Sequence, residues 1–244
     1  MSDEMHIEPT AIDQPEAGLS WKGLWLVLSN PVELFSKLKA HPRVLVAWLA
    51  AILLFCVYLM LVLDKMVALQ LAEVANTNPG FDPEMIPEGV MEGSTFFFGA
   101  LTVGFIPLIT AIIAIFWGNF IFGGKATFKQ VLSVALYGNI IYIVGMLATL
   151  PLVLAKDSMM VSYSLAAFFP DLSYKSVAYA ALSKVGIFYI WEIIVAGIGF
   201  STVYGFTRGK GYTIAVLSVG LLSILHVAFT ALGSLVQVGG GVGG

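Results

Sequence analysis

Glu192 and His226 are the residues best placed to do chemistry, because each sits inside a long apolar run where an ionisable side chain is costly. A carboxyl and an imidazole at membrane depth can pass a proton or hold a polar ligand. Glu192 lies about 8 residues from the outer end of its run, hence ~12 Å deep at 1.5 Å per residue. His226 lies about 14 residues, or ~21 Å, from the inner end of the next run. In a hydrocarbon core of ~30 Å the two depths nearly coincide. The short Thr207–Gly211 connection makes the two runs antiparallel neighbours, which brings a Glu192–His226 contact within reach. Ser223, Thr230, Gly233 and Gln237 recur at helical spacing on the face of His226. Asn139, on the run before these two and ~14 Å from the inner side, is the next partner for Glu192. Glu192, His226, Ser223, Thr230 and Asn139 thus form a candidate intramembrane polar site. One reading makes it a proton relay or ligand site. The other, which we favour, makes it a buried hydrogen bond joining two helices, or a Glu192 that stays a neutral acid, since polar side chains often hold membrane helices together.

Other constellations carry less. Gly138, Tyr142, Gly145 and Thr149 form a small-and-polar stripe on one run, and Ala196, Gly199 and Val203 continue the face of Glu192. Such stripes let backbones approach and read as packing seams. Gly123-Gly124-Lys125-Ala126-Thr127 has the look of a phosphate loop, but the upstream Gly is missing and Ala126 stands where Ser or Thr is needed. It reads as a tight cytoplasmic turn, as does the Arg208-Gly209-Lys210 stretch. No H-E-x-x-H, G-x-S-x-G or C-x-x-C motif occurs. The single Cys56 excludes a disulfide within the chain and a multi-cysteine zinc site. Asp64, Glu73, Asp82, Glu84, Glu88 and Glu92 crowd one connection, Asp64–Thr95, without the ligand rhythm of a calcium loop. There Pro79, Pro83 and Pro87 are expected to prevent a long helix. No enzyme, cofactor or metal site is expected.

The elements that position these residues follow from hydropathy. Val44–Leu63, Phe96–Phe122, Val131–Ala155, Val185–Phe206 and Tyr212–Val236 are each about 20 or more residues long, enough helix to cross the ~30 Å core. A composition 59% hydrophobic and 11% charged, with mean hydropathy +0.92, excludes a soluble domain. Continuous runs exclude the alternating strands of a barrel. The fold class is therefore an all-α membrane protein: a bundle of five transmembrane helices with an N-terminal amphipathic interfacial helix. Lys22, Lys37, Lys39, Arg43, Lys125, Lys129, Arg208 and Lys210 fall on one side, against Lys65, Lys156, Lys175 and Lys184 on the other. The positive-inside rule then places the N-terminus in the cytoplasm and the C-terminus outside.

Four segments are expected. Residues 1–19 form an acidic cytoplasmic tail too poor in apolar residues to fold. It has no apolar signal core, so the first span should act as its own insertion signal. Residues 20–42 form an amphipathic juxtamembrane segment. Asn30 caps, Pro31 opens and Glu33 closes a capping box, and His41-Pro42 ends the helix. Val32, Phe35 and Leu38 share one face with Leu34 at its edge; Glu33, Lys37 and Lys39 take the other. With Trp21, Lys22 and Trp25 upstream, this segment is expected to lie in the cytoplasmic interface; the alternative is a helix packed on the protein's own loops. Residues 43–237 form the five-helix domain, and 238–244 a flexible Gly-rich end.

Residues 123–132, Gly-Gly-Lys-Ala-Thr-Phe-Lys-Gln-Val-Leu, resemble the turn before the third span of the Yip1-domain membrane proteins. The Asn30-Pro31…Phe35…Pro42 run, Phe188-Tyr189-Ile190-Trp191-Glu192 and Arg208-Gly209-Lys210 are similar to other parts of that family, over roughly residues 25–236. The motifs are short; their order and the five-span layout carry the likeness. The resemblance implies a five-helix bundle with a cytoplasmic N-terminus, in a bacterial inner membrane if this chain is similar to the bacterial members. Eukaryotic members associate with small GTPases in early secretory membranes. This chain has only a short acidic tail and lacks an Asp-Leu-Tyr-Gly-Pro element, so a small GTPase is not the expected partner. The expected function is non-enzymatic organisation of protein partners or lipids in the bilayer, with other membrane proteins or itself as partners. The rival is a small transporter or channel built on Glu192 and His226.

Overall fold

The computed structural model describes residues 21–240 except 79, 83, 84, 88, 160, 174 and 175, and leaves the side chains of 77, 226, 229 and 233–240 undescribed. The tail at 1–19 and residues 241–244 therefore lie outside the described residues. Among the described residues eight α-helices follow in order: α1 Lys22–Ser29, α2 Pro31–Ala40, α3 Leu45–Thr77, α4 Val90–Ile115, α5 Phe128–Lys156, α6 Val177–Ser183, α7 Ile187–Tyr204 and α8 Arg208–Gly240. One π-helical turn, Phe116–Ile121, continues α4, and a 3₁₀ turn covers Leu165–Phe168. Among the described residues there is no strand, only one isolated bridge, Ser164 to Gly186. Five helices, α3, α4 (with its π turn), α5, α7 and α8, are long and apolar enough to cross a membrane. The expected all-α bundle with five membrane-spanning helices is what the chain forms.

α5 is the centre. It packs against α3, α4 and α7, and α7 packs against α8. Of its span 72% is buried, against 25% for α8, so α5 is wrapped by protein while α8 faces outward. Glycines set how closely the helices approach. A side chain at Gly145 would collide with Phe188, one at Gly199 with Val134 and Phe35, and one at Gly138 would touch Ala196 and Glu192. The stripes expected on these two spans are thus the seam between α5 and α7, as small residues at helix contacts are in membranes. Pro107 sits inside α4 and Pro151 inside α5 without ending either helix, as neighbouring helices and side chains allow at membrane depth.

The N-terminal helices are bound into the bundle. The side chain of Asn30 accepts from the Glu33 amide at 3.3 Å and donates to its carboxylate at 3.1 Å, with Pro31 as the first residue of α2. α2 lies against α7, and α1 against α5. Leu34, Phe35 and Leu38 are buried, and Val27 of α1 with them. The apolar face expected to meet lipid is turned into the protein, leaving Trp21, Trp25 and Val32 exposed. Burial in the protein core satisfies an amphipathic face as well as a membrane interface does.

Two expected connections are shorter than the sequence suggests. α3 runs fourteen residues past Leu63 to Thr77, because Lys65–Ala75 consists of good helix formers and no proline intervenes. α4 starts at Val90. The Asp64–Thr95 loop is therefore largely helix, and of its prolines and acids Pro79, Pro83, Glu84 and Glu88 lie outside the described residues. Likewise Arg208 and Lys210 belong to the first turn of α8, and the connection before it is only Gly205–Thr207. Gly205, at φ 70°, makes that reversal, a conformation glycine adopts without strain.

Candidate functional site

Glu192 sits in the second turn of α7, and its Cγ lies over Gly138 on α5, where the missing side chain makes room for it. Tyr142 of α5 and Tyr189 of α7 are its electrostatic neighbours. Tyr189 stands one turn before Glu192, and its hydroxyl donates to the Val219 carbonyl of α8 at 3.2 Å. Ser223 in turn donates to the Tyr189 hydroxyl at 2.8 Å. Tyr189 and Ser223 are thus hydrogen-bonded where α7 meets α8, with Glu192 one turn away on the side facing α5.

The residues expected from the sequence are distributed unevenly over this seam. Ser223 bonds to Tyr189. Asn139 is buried on α5 beside Gly138, but no hydrogen bond ties it to Glu192 among the described residues. Thr230 lies two turns of α8 beyond Ser223. The side chains of His226, Gly233 and Gln237 lie outside the described residues, so the Glu192–His226 pair is neither made nor broken by the geometry. Most other hydroxyls in the spans close on their own helix. Ser133 donates to the Lys129 carbonyl at 2.8 Å, Thr110 to that of Ile106 at 3.1 Å and Ser218 to that of Ile214 at 2.7 Å. Such local bonds satisfy the hydroxyl within its own helix.

The segment between α4 and α5 and the start of α8 have a structural use. Gly123 adopts φ 69° and the Gly124 amide donates to the Gly118 carbonyl at 2.8 Å. The ring of Tyr204 lies so close over Gly118 and Gly124 that neither could carry a side chain. Asn119, within the π turn, donates to the Ala126 carbonyl at 3.1 Å, while its Oδ1 is buried without a protein partner. Thr127 and Gln130 then form a reciprocal cap at the start of α5, and Gln130 also donates to the Lys39 carbonyl in the last turn of α2 at 2.7 Å. With the Gly124 amide bonded inside the protein, the resemblance to a phosphate cradle ends at sequence. Lys125 is exposed. Arg208 donates to the Ile198 carbonyl at 3.2 Å and to Ser201 at 2.8 Å, tying α8 to α7. Lys210 stands 5.6 Å from the Phe122 ring and 5.2 Å from that of Phe206, within the range of a cation over an aromatic face.

Three residues of this end were not singled out by sequence reasoning: Tyr204, Gly118 and Asn119. Their only signal is a pair of glycines six residues apart, which says that something large approaches but not what. Among the described residues no group of three or more His, Cys, Asp or Glu side chains could hold a metal ion.

Comparison with known proteins adds one finding. The family model described as the Yip1 domain matches residues 25–231. No curated protein matches, and no solved structure does.

Proposed function

The chain belongs to the Yip1 domain family, and from that premise we propose that it is a non-enzymatic integral membrane protein that organises protein partners or lipids through the outer faces of its helices. The observation that carries this reading is the filled centre of the bundle: every residue of α5 from Val131 to Ile141 is buried. Packing at that density supports a scaffold more readily than a path for solutes. The outward faces of α3, α4 and α8 present Leu53, Met60, Phe105, Ile112 and Ile224, an apolar surface suited to lipid or to another membrane helix. The basic residues before α3, beside α5 and at the start of α8 support a cytoplasmic N-terminus, an outer C-terminus and, by family likeness, a bacterial inner membrane. Photo-crosslinking from position 53 or 112 in native membranes tests the proposal. Adducts to a small set of membrane proteins or to lipid are expected; a position that labels only soluble enzymes would overturn it.

A second reading, a small transporter, is favoured by one observation. Ser223 and Tyr189 are hydrogen-bonded between α8 and α7, with Glu192 one turn from Tyr189 over Gly138 of α5. Ionisable groups at that depth are the hallmark of proton-coupled transport. Flux across reconstituted membranes separates the two.

A further inference from the structure

A groove of 410 Å³ opens between α6 and α8, within the ~300–1,000 Å³ range of small-molecule sites. Ala181 of α6 and Ser223, Ile224, Ala228 and Ala231 of α8 line it, with Lys184 just past the end of α6. Ser223, Ala231 and the residue midway between them repeat every four positions, so one face of α8 forms the floor. Small side chains at 181, 228 and 231 leave the space that larger ones would fill.

Charge says what the groove would take. Neither α6 nor α8 contains an Asp or Glu. Glu192, the acidic residue nearest to Lys184 in sequence, has its Cγ over Gly138 on α5. Lys184 is half-buried, and burial holds its ammonium below the usual lysine range, so an anion from outside the protein would complete it. Depth agrees. Lys184 precedes the first residue of α7 by three positions, at the membrane boundary where lipid phosphates lie. Ser223 is about 22 Å along α8 from its start and Ala231 about 34 Å, so the floor rises from within the ~30 Å core to that same boundary. We propose that this groove holds one acyl chain of a phospholipid, with the lipid phosphate against Lys184. Basic pockets between membrane helices bind anionic headgroups in this way. The inference rests on the reading above only for the chain's place in a bilayer.

Native mass spectrometry of the full chain, stripped of lipid in detergent, tests this directly. Dioleoyl phosphatidylglycerol, dioleoylglycerol and inorganic phosphate are added in separate arms. One phosphatidylglycerol should be retained, and Lys184→Gln should weaken it about fivefold, the effect of one lysine near a lipid headgroup. Ala228→Trp, on an exposed position, should remove the adduct by filling the groove, and a thermal melt should confirm that both variants stay folded. Dioleoylglycerol should bind less tightly than phosphatidylglycerol, and phosphate should not compete at millimolar concentration. Equal retention by wild type and both variants would overturn the proposal. Competition by inorganic phosphate would overturn it in favour of a free anion, and a dimer that closes the groove to lipid in favour of a second copy. Failure of any arm leaves the flux result unchanged, so this inference and the scaffold reading fail separately.

Discussion

Asp157 occupies the left-handed region at φ 49°, one residue past α5, and its carboxylate pairs with Lys65 of α3. The hydrogen bond from Lys65, then its charge, hold the Asp157 carboxyl below the usual carboxylate range. The stability from this pair is therefore complete above the unfolded value of 3.8 and is lost as pH falls through the lower folded value. Asn also tolerates the left-handed region, so Asp157→Asn removes the charge and keeps the backbone. Its melting temperature should lie slightly below that of wild type at pH 6, and the gap should close toward pH 3; an unchanged gap would assign the effect to the backbone. The effect is small because the carboxylate is exposed. At Glu192 the expected cost of Glu192→Ala is about 1–2 kcal/mol if a hydrogen bond to His226 is lost. The double change with His226→Ala should then cost clearly less than the sum of the single changes. Strict additivity would show that the two do not touch. Ser223 could be read from helical spacing, because a small polar residue in an apolar run has few other uses. Tyr189 could not, since a tyrosine near a span end looks like any interfacial aromatic.

Phe35 is the largest of the three buried side chains that hold α2, beside Leu34 and Leu38. Phe35 is fully buried and fits against Gly199 of α7 and Val134 of α5. Phe35→Ala should cost about 3–5 kcal/mol, and hydrogen exchange should quicken across 22–40 before the spans respond. Unchanged stability would mean that α1 and α2 rest on lipid instead. The spans themselves were legible because continuous apolar runs have no other stable state in a membrane. The docking of α2 was not: an amphipathic pattern records which face is buried and not what buries it. Nor was the π turn at Phe116–Ile121 visible, since it depends on Tyr204, ninety positions from Ala114, whose carbonyl accepts from that hydroxyl at 3.4 Å. Nor does hydropathy show the length of α3, because Asp64 and Glu73 end the apolar run but not the helix, which continues to Thr77.

At the scale of the molecule, five spans and the asymmetry of the basic residues support the proposed topology, with the two termini on opposite sides. A reporter after Val236 should be exposed outside and one at Gly124 cytoplasmic. A cytoplasmic C-terminus would mean that one of the five helices does not cross. The central claim is that the centre of the bundle around α5 is filled and the protein works through its outer faces. Flux of protons, ions and lipids into proteoliposomes holding the purified full chain tests it most directly. Rates equal to those of protein-free vesicles are expected, with Glu192→Gln indistinguishable from wild type. Proton-coupled uptake in wild type that Glu192→Gln abolishes would contradict it.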